Sequence, residues 1–268
     1  MSINDKVAVV TGASRGIGKQ TALALARAGV HVVLVARTEG ARPGTPGTLH
    51  ETANELRALG ADPLVVRADL AVQQDLDRLV SDALAWFGHV DILVNNAAYT
   101  VGKTLFTHVP DLTREQWEKH FAINVTAPLM LIQDFWSSMR ERGGGVVVSV
   151  TSAAAVLQSV DRGRMNTTGL PDNGPAYGAS KAALNRMTNV IAQEGVAHGI
   201  AVITVEPGVV LTETMATTFA ASGITDTAAI SPTVPALAIA YLCTCDDPLR
   251  YTGEVLSAPA LAEELALV

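Results

Sequence analysis

A chain of 268 residues with a formal charge of −7 and a pI near 5.3 carries no broad basic surface, which excludes nucleic acid and an anionic membrane as principal partners. Hydrophobic residues make up 49% and charged residues 17%, enough to fill a sizeable core and too apolar for general disorder. Only Cys243 and Cys245 are present, too few and too close together for a disulfide framework, and with no apolar run of membrane-spanning length and no signal-like region after Met1 the expectation is a cytoplasmic protein.

In chain order, Lys6 to Thr11 is a short β-branched run, followed by a glycine-rich turn, an Ala/Leu-rich helix through Ala28 and a second strand from Val32 to Val35. Such a βαβ unit crosses over in the right-handed sense. The alternation continues with a helix over Leu49 to Leu59, a strand over Leu64 to Arg67, a helix over Gln73 to Phe87 and a strand over Ile92 to Val94. A long helix from Thr113 to Arg140 follows, then a strand over Val146 to Val150, a helix over Ala176 to Ala197 and a strand over Ala201 to Val205. Repetition without a linker predicts one α/β domain over 1–268, a doubly wound Rossmann fold whose parallel sheet is flanked by helices on both faces. Three segments interrupt the pattern: Thr38 to Thr48 and Gln158 to Pro175, both bearing Gly and Pro, and Leu211 to Ser231, rich in small residues and threonine. The latter two are candidates to cover a ligand at the carboxyl ends of the strands, with a variable surface excursion as the alternative.

Thr11-Gly12-Ala13-Ser14-Arg15-Gly16-Ile17-Gly18 sets glycines in the spacing GxxxGxG between a strand and a helix. Glycines admit the tight turn and close approach of a pyrophosphate, and the helix N-terminus offers free N–H groups and a positive dipole end. Gly12, Ser14, Arg15, Gly16, Ile17 and Gly18 are therefore candidate dinucleotide contacts. A P-loop is disfavoured, because the spacing before Gly18-Lys19 is wrong and Gln20 stands where a magnesium-binding hydroxyl is needed. The second strand ends Val35-Ala36-Arg37, without the carboxylate that would hold the adenosine ribose of NAD. Arg15 and Arg37 offer positive charge for a 2′-phosphate, so NADP(H) is preferred and NAD(H) is the alternative.

Tyr177 and Lys181 share one helix face at spacing i, i+4. A phenol titrating near ~10 is a poor acid-base group at neutral pH, and a neighbouring ammonium favours its ionised form. Beside a dinucleotide loop, the pair suggests proton transfer coupled to hydride transfer.

Taken with Asn95-Asn96-Ala97-Ala98, Asn124, Ser152 and Pro207-Gly208 with Thr212, these motifs make the chain resemble a classical short-chain dehydrogenase/reductase over nearly its whole length. The resemblance implies that Asp69 and Leu70 lie against adenine, that Asn95 and Ala97 line the cofactor, and that Pro207, Gly208, Val210 and Thr212 face nicotinamide. It also implies Tyr177 as acid-base and Ser152 as hydrogen-bond partner of the reacting oxygen. Lys181 is to lower the phenol's pKa and hold the ribose, while Asn124 anchors a water behind Lys181. The activity implied is interconversion of a secondary alcohol and a carbonyl.

The sequence departs from the family pattern at Ala98, where glycine is usual, in the long gap between Ser152 and Tyr177, and in the absence of Asp-Gly-Gly after Tyr251-Thr-Gly-Glu-Val-Leu256. Six histidines, His31, His50, His89, His108, His120 and His198, show no zinc-ligand spacing, so no metal is expected. Val156, Leu157, Met215 and Phe219 suggest an apolar pocket wall, and Arg162 and Arg164 read as solvated loop charge. Phe135, Trp136 and Met139 are either core or an oligomer seam, and the family pattern favours a homo-oligomer, dimer or tetramer. The competing readings are a nucleotide-binding regulatory or scaffold protein without turnover, and an enoyl reductase or sugar epimerase. The Tyr-to-Lys spacing opposes the enoyl reductase and GxxxGxG opposes the epimerase.

Overall fold

The computed structural model describes residues 2–41, 46–100, 107, 109–157, 174–216 and 229–268. Most of the segment 158–175 and the stretch 217–228, with Arg162, Arg164 and Phe219, lie outside the described residues.

Seven strands, β1 (Val7–Thr11), β2 (His31–Ala36), β3 (Leu64–Arg67), β4 (Ile92–Asn95), β5 (Gly145–Val150), β6 (Ile200–Glu206) and β7 (Val255–Ser257), form one sheet in the order β3-β2-β1-β4-β5-β6-β7. Every pairing is parallel. The central strands are continuous valine-rich runs because each side of a parallel sheet is covered, and β-branched side chains suit that pleated surface. All five residues of β1 are buried.

Alternate residues of these strands feed two cores. On one face, Val10, Leu34 and Val148 pack with Leu25 of α1 (Gly16–Arg27), Leu49 and Leu56 of α2 (Leu49–Ala58), and Ile239 and Leu242 of a later helix. On the other, Val9, Leu93 and Val147 pack with Leu79 of α3 (Gln73–Phe87) and with Leu131, Phe135 and Met139 of a helix beyond β4. Phe135 and Met139 are fully buried, so they are core and not an oligomer seam. The order of strands reverses direction between β1 and β4, which opens a crevice at their carboxyl ends.

Two differences from the sequence reading bear on function. The single helix expected over Thr113 to Arg140 is two helices, α4 (Arg114–Phe121) and α5 (Ala127–Glu141), joined by a π-helical turn over Ala122–Thr126. Such turns fit one extra residue into the helix and are frequent at functional sites. After α6 (Pro175–Val196) and β6, the chain forms three elements that were not foreseen, α7 (Thr233–Thr244), β7 and α8 (Ala258–Glu264). The α7 stretch VPALAIAYLC is apolar all round and so shows no amphipathic period, while β7 is a three-residue edge strand with Val255 half exposed.

Candidate active site

The glycine loop sits where β1 meets α1, and its shape is set by the neighbouring β4 terminus. Thr11 Oγ1 donates to the Val94 carbonyl at 3.2 Å and accepts from the N–H groups of Asn96 and Ala97 at 3.0 and 3.1 Å. Asn96 Nδ2 in turn donates to the Thr11 carbonyl at 2.8 Å. Gly12 has φ +69°, and a Cβ there would lie 2.7 Å from Asn96 Nδ2; one at Gly18 would collide with the Gly12 carbonyl and the same amide. The side chain that ties the loop is thus Asn96, which sequence reasoning placed in a motif without assigning it this contact. Ser14 is buried, Ile17 packs on the core, and Thr52 Oγ1 donates to the Ala13 carbonyl at 3.0 Å.

At the α1 N-terminus, the Gly16 N–H donates to Glu213 Oε2 at 3.0 Å. Arg15 Nη2 donates to Thr38 Oγ1 and the Gly47 carbonyl, both at 3.3 Å. Desolvation lowers the pKa of its guanidinium, opposed by the Glu213 carboxylate. Arg37 is exposed at the end of β2, so two cations flank this end of the crevice. Beyond β3, Asp69 Oδ1 accepts from the Ala71 N–H at 3.1 Å and Leu70 is buried.

Asn95 is buried at the end of β4, and its Nδ2 has no hydrogen-bond partner among the described residues. Ala98 does not take positive φ, so the methyl that replaces the usual hydrogen requires no strained backbone. Past β6, the Gly208 N–H donates to Glu206 Oε1 at 2.9 Å, Val210 bridges to Ile230, and the Thr212 methyl stands over Gly16. Pro207 begins this turn.

Beyond β5, Ser152 lies within hydrogen-bond reach of the Tyr177 phenol, and its Oγ also accepts from the Ala154 N–H at 3.2 Å. Lys181 is buried one turn along α6, its Nζ donating to the Val150 carbonyl at 2.8 Å and lying 5.9 Å from the Tyr177 ring centroid. Asn124, carried inward by the π turn, accepts from the Tyr99 N–H at 2.9 Å and donates to Ser180 Oγ at 3.0 Å. Ser180 Oγ donates to the Tyr177 carbonyl at 2.8 Å, so Asn124 is tied to the turn of α6 that carries Tyr177. His120 packs edge-on to both Tyr99 and Tyr177; nothing in its sequence spacing pointed there.

The electrostatics differ from expectation at Tyr177. Burial raises its pKa above the ordinary phenol value, with the Ser152 hydrogen bond pulling the other way. Lys181 is itself shifted, from 10.5 to about 8, by burial. Farther out, Val156 and Leu157 are 66% and 99% exposed, and Met215 is half-buried. No helix among the described residues is long and apolar enough to cross a membrane.

The family model for short chain dehydrogenase matches residues 6–223. The chain is 35% identical over 217 residues to the short-chain dehydrogenase/reductase FrzI of a Cladobotryum species, covering 80% of this chain and 74% of that one. It is 31% identical over 212 residues to an NAD-dependent glycerol dehydrogenase of Listeria innocua, covering 79% and 73%. The structure of L-sorbose reductase from Gluconobacter frateurii, complexed with NADPH and L-sorbose, superposes with a TM-score of 0.78 at 28% identity over 94% of each chain. The chain belongs to the short-chain dehydrogenase/reductase family of oxidoreductases.

Proposed function

We propose that this protein is an NADP(H)-dependent oxidoreductase that interconverts a secondary alcohol and a ketone. The observation that carries the reading is the meeting of Ser152, Tyr177 and buried Lys181 beside a glycine loop closed by Asn96. Gly12, Gly16 and Gly18 leave no room for side chains, and the α1 N-terminus offers N–H groups, which fits a dinucleotide pyrophosphate over Ser14 to Gly18. Asp69 and Leu70 would hold the adenine, Arg15 and Arg37 the 2′-phosphate, and Asn95, Ala97, Pro207, Gly208, Val210 and Thr212 the nicotinamide half. A bound nicotinamide dinucleotide supplies or accepts the hydride.

The protein's own share is the proton. Ser152 hydrogen-bonds the substrate oxygen, and Tyr177 gives its phenolic proton to that oxygen as negative charge develops there. Burial raises the phenol's pKa, so Tyr177 is neutral at neutral pH, the form a proton donor needs. Lys181 fixes the ribose and feeds positive potential toward Tyr177 as it ionises, and Asn124 holds the proton path behind Lys181. The same reading takes residues 1–268 as one domain working in a cytoplasmic homo-oligomer. It takes the segments around 158–175 and 211–231 as bordering the substrate.

A matched fluorescence titration with NADPH and NADH, followed by a panel of ketones, hydroxy ketones and quinones, tests the reading. Hydroxy ketones belong on the panel because the solved neighbour was complexed with L-sorbose. NADPH binding with substrate-dependent oxidation supports it. Tyr177→Phe should bind NADPH as wild type does and lose about 10²- to 10⁴-fold in kcat; undiminished turnover eliminates the assigned role. Binding without oxidation by any substrate would favour a regulatory protein.

A further inference from the structure

A carboxylate of the chain itself holds the N-terminus of α1. Glu213 lies far from the glycine loop in sequence, yet its Oε2 accepts the Gly16 N–H at 3.0 Å. The neighbouring Thr212 methyl stands so close to Gly16 that a Cβ there would lie 2.9 Å from it. Desolvation lowers the pKa of the Arg15 guanidinium and Glu213 opposes that shift, so its charge is felt there. Thr212 Oγ1 and Thr212 O accept from the N–H groups of Met215 and Ala216 at 3.2 and 2.8 Å, which makes 212–216 one capped helical turn.

The attractions on Glu213 include the first N–H of α1, the positive end of its dipole and the Arg15 cation. These are the attractions a phosphate group uses at a helix N-terminus. Two anions cannot accept the same N–H. Resting on the cofactor assignment above, we infer that Glu213 is an affinity-determining residue that occupies part of the dinucleotide phosphate cradle. NADP(H) binding must then break the Gly16–Glu213 bond and release the 212–216 turn. This couples cofactor binding to the start of the segment beyond β6, so a substrate contacting that turn meets its final form only after the cofactor is in place.

The test compares wild type, Glu213→Gln and Glu213→Ala by NADPH titration and, without added cofactor, by amide hydrogen exchange of the peptide spanning 212–216. Removing the competing charge should tighten NADPH binding about two- to fivefold, the range of a charge at a helix N-terminus. In Glu213→Ala the exchange of 212–216 should also quicken, because its tie to α1 is gone. Equal or weaker NADPH binding in both variants overturns the inference. So does tighter binding with unchanged exchange, which would reduce Glu213 to simple charge repulsion. Failure of all three proteins to bind NADPH is a different result: it overturns the cofactor assignment, and the inference falls with it.

Discussion

Lys181 illustrates how burial sets the chemistry of one side chain. Its pKa falls from 10.5 to about 8 because the ammonium is taken out of water, so between those values the unfolded chain is protonated where the folded one is not. Stability therefore rises with pH across that window, and below it the buried charge costs about 3 kcal/mol. Relative to Lys181→Met, which cannot titrate, wild type should gain about 2 kcal/mol between pH 7 and pH 9.5, read by urea denaturation at each pH. A difference that stays constant with pH would show that Lys181 does not titrate there. At the other end of the crevice, Arg37→Glu should weaken NADPH binding about tenfold with little change for NADH. Equal effects on the two cofactors, in the same fluorescence titration, would remove Arg37 from 2′-phosphate recognition.

The π turn between α4 and α5 places a single side chain by altering a helix. Asn124 is buried and spans from the Tyr99 N–H to Ser180 on α6, so it joins the chain beyond β4 to the helix that carries Tyr177 and Lys181. Asn124→Leu would leave the Tyr99 N–H without its acceptor and should cost about 1–3 kcal/mol in urea denaturation. It should lower kcat as well, because the turn holding Tyr177 loses a brace. Unchanged stability with lowered kcat would confine the residue to catalysis. Neither the π turn nor its consequence is visible in local sequence: the residues from Thr113 to Arg140 read as one long helix, since the single turn that takes the extra residue leaves helix on either side of it.

The two ends of the sheet divide the labour of the molecule. At the amino ends of the strands, Asp91 accepts from the Val7 N–H at 2.9 Å and from Arg142 Nε at 3.1 Å, and Arg142 Nη2 reaches Asp5 at 2.8 Å. The candidate site gathers at the opposite, carboxyl ends, where loops rather than strands present the polar groups. Asp91→Ala should therefore destabilise the protein by about 2–4 kcal/mol while leaving kcat unchanged at temperatures where it stays folded. A matching loss of kcat would show that the two ends are coupled.

The valine-rich runs, their alternation with helices and the spacing of Gly12, Gly16, Gly18, Tyr177 and Lys181 are local patterns, so the first six strands, the doubly wound class and the core of the candidate site were legible without coordinates. A parallel sheet buried on both faces leaves an uninterrupted apolar signature, and a helix places i and i+4 together wherever it lies. Asn96 bracing the loop, the pKa of Tyr177 and the hold of Glu213 on Gly16 depend on residues distant in sequence being brought within hydrogen-bond reach, and on how much water burial removes. Those quantities follow from packing and have no period along the chain, so only the tertiary structure decided them.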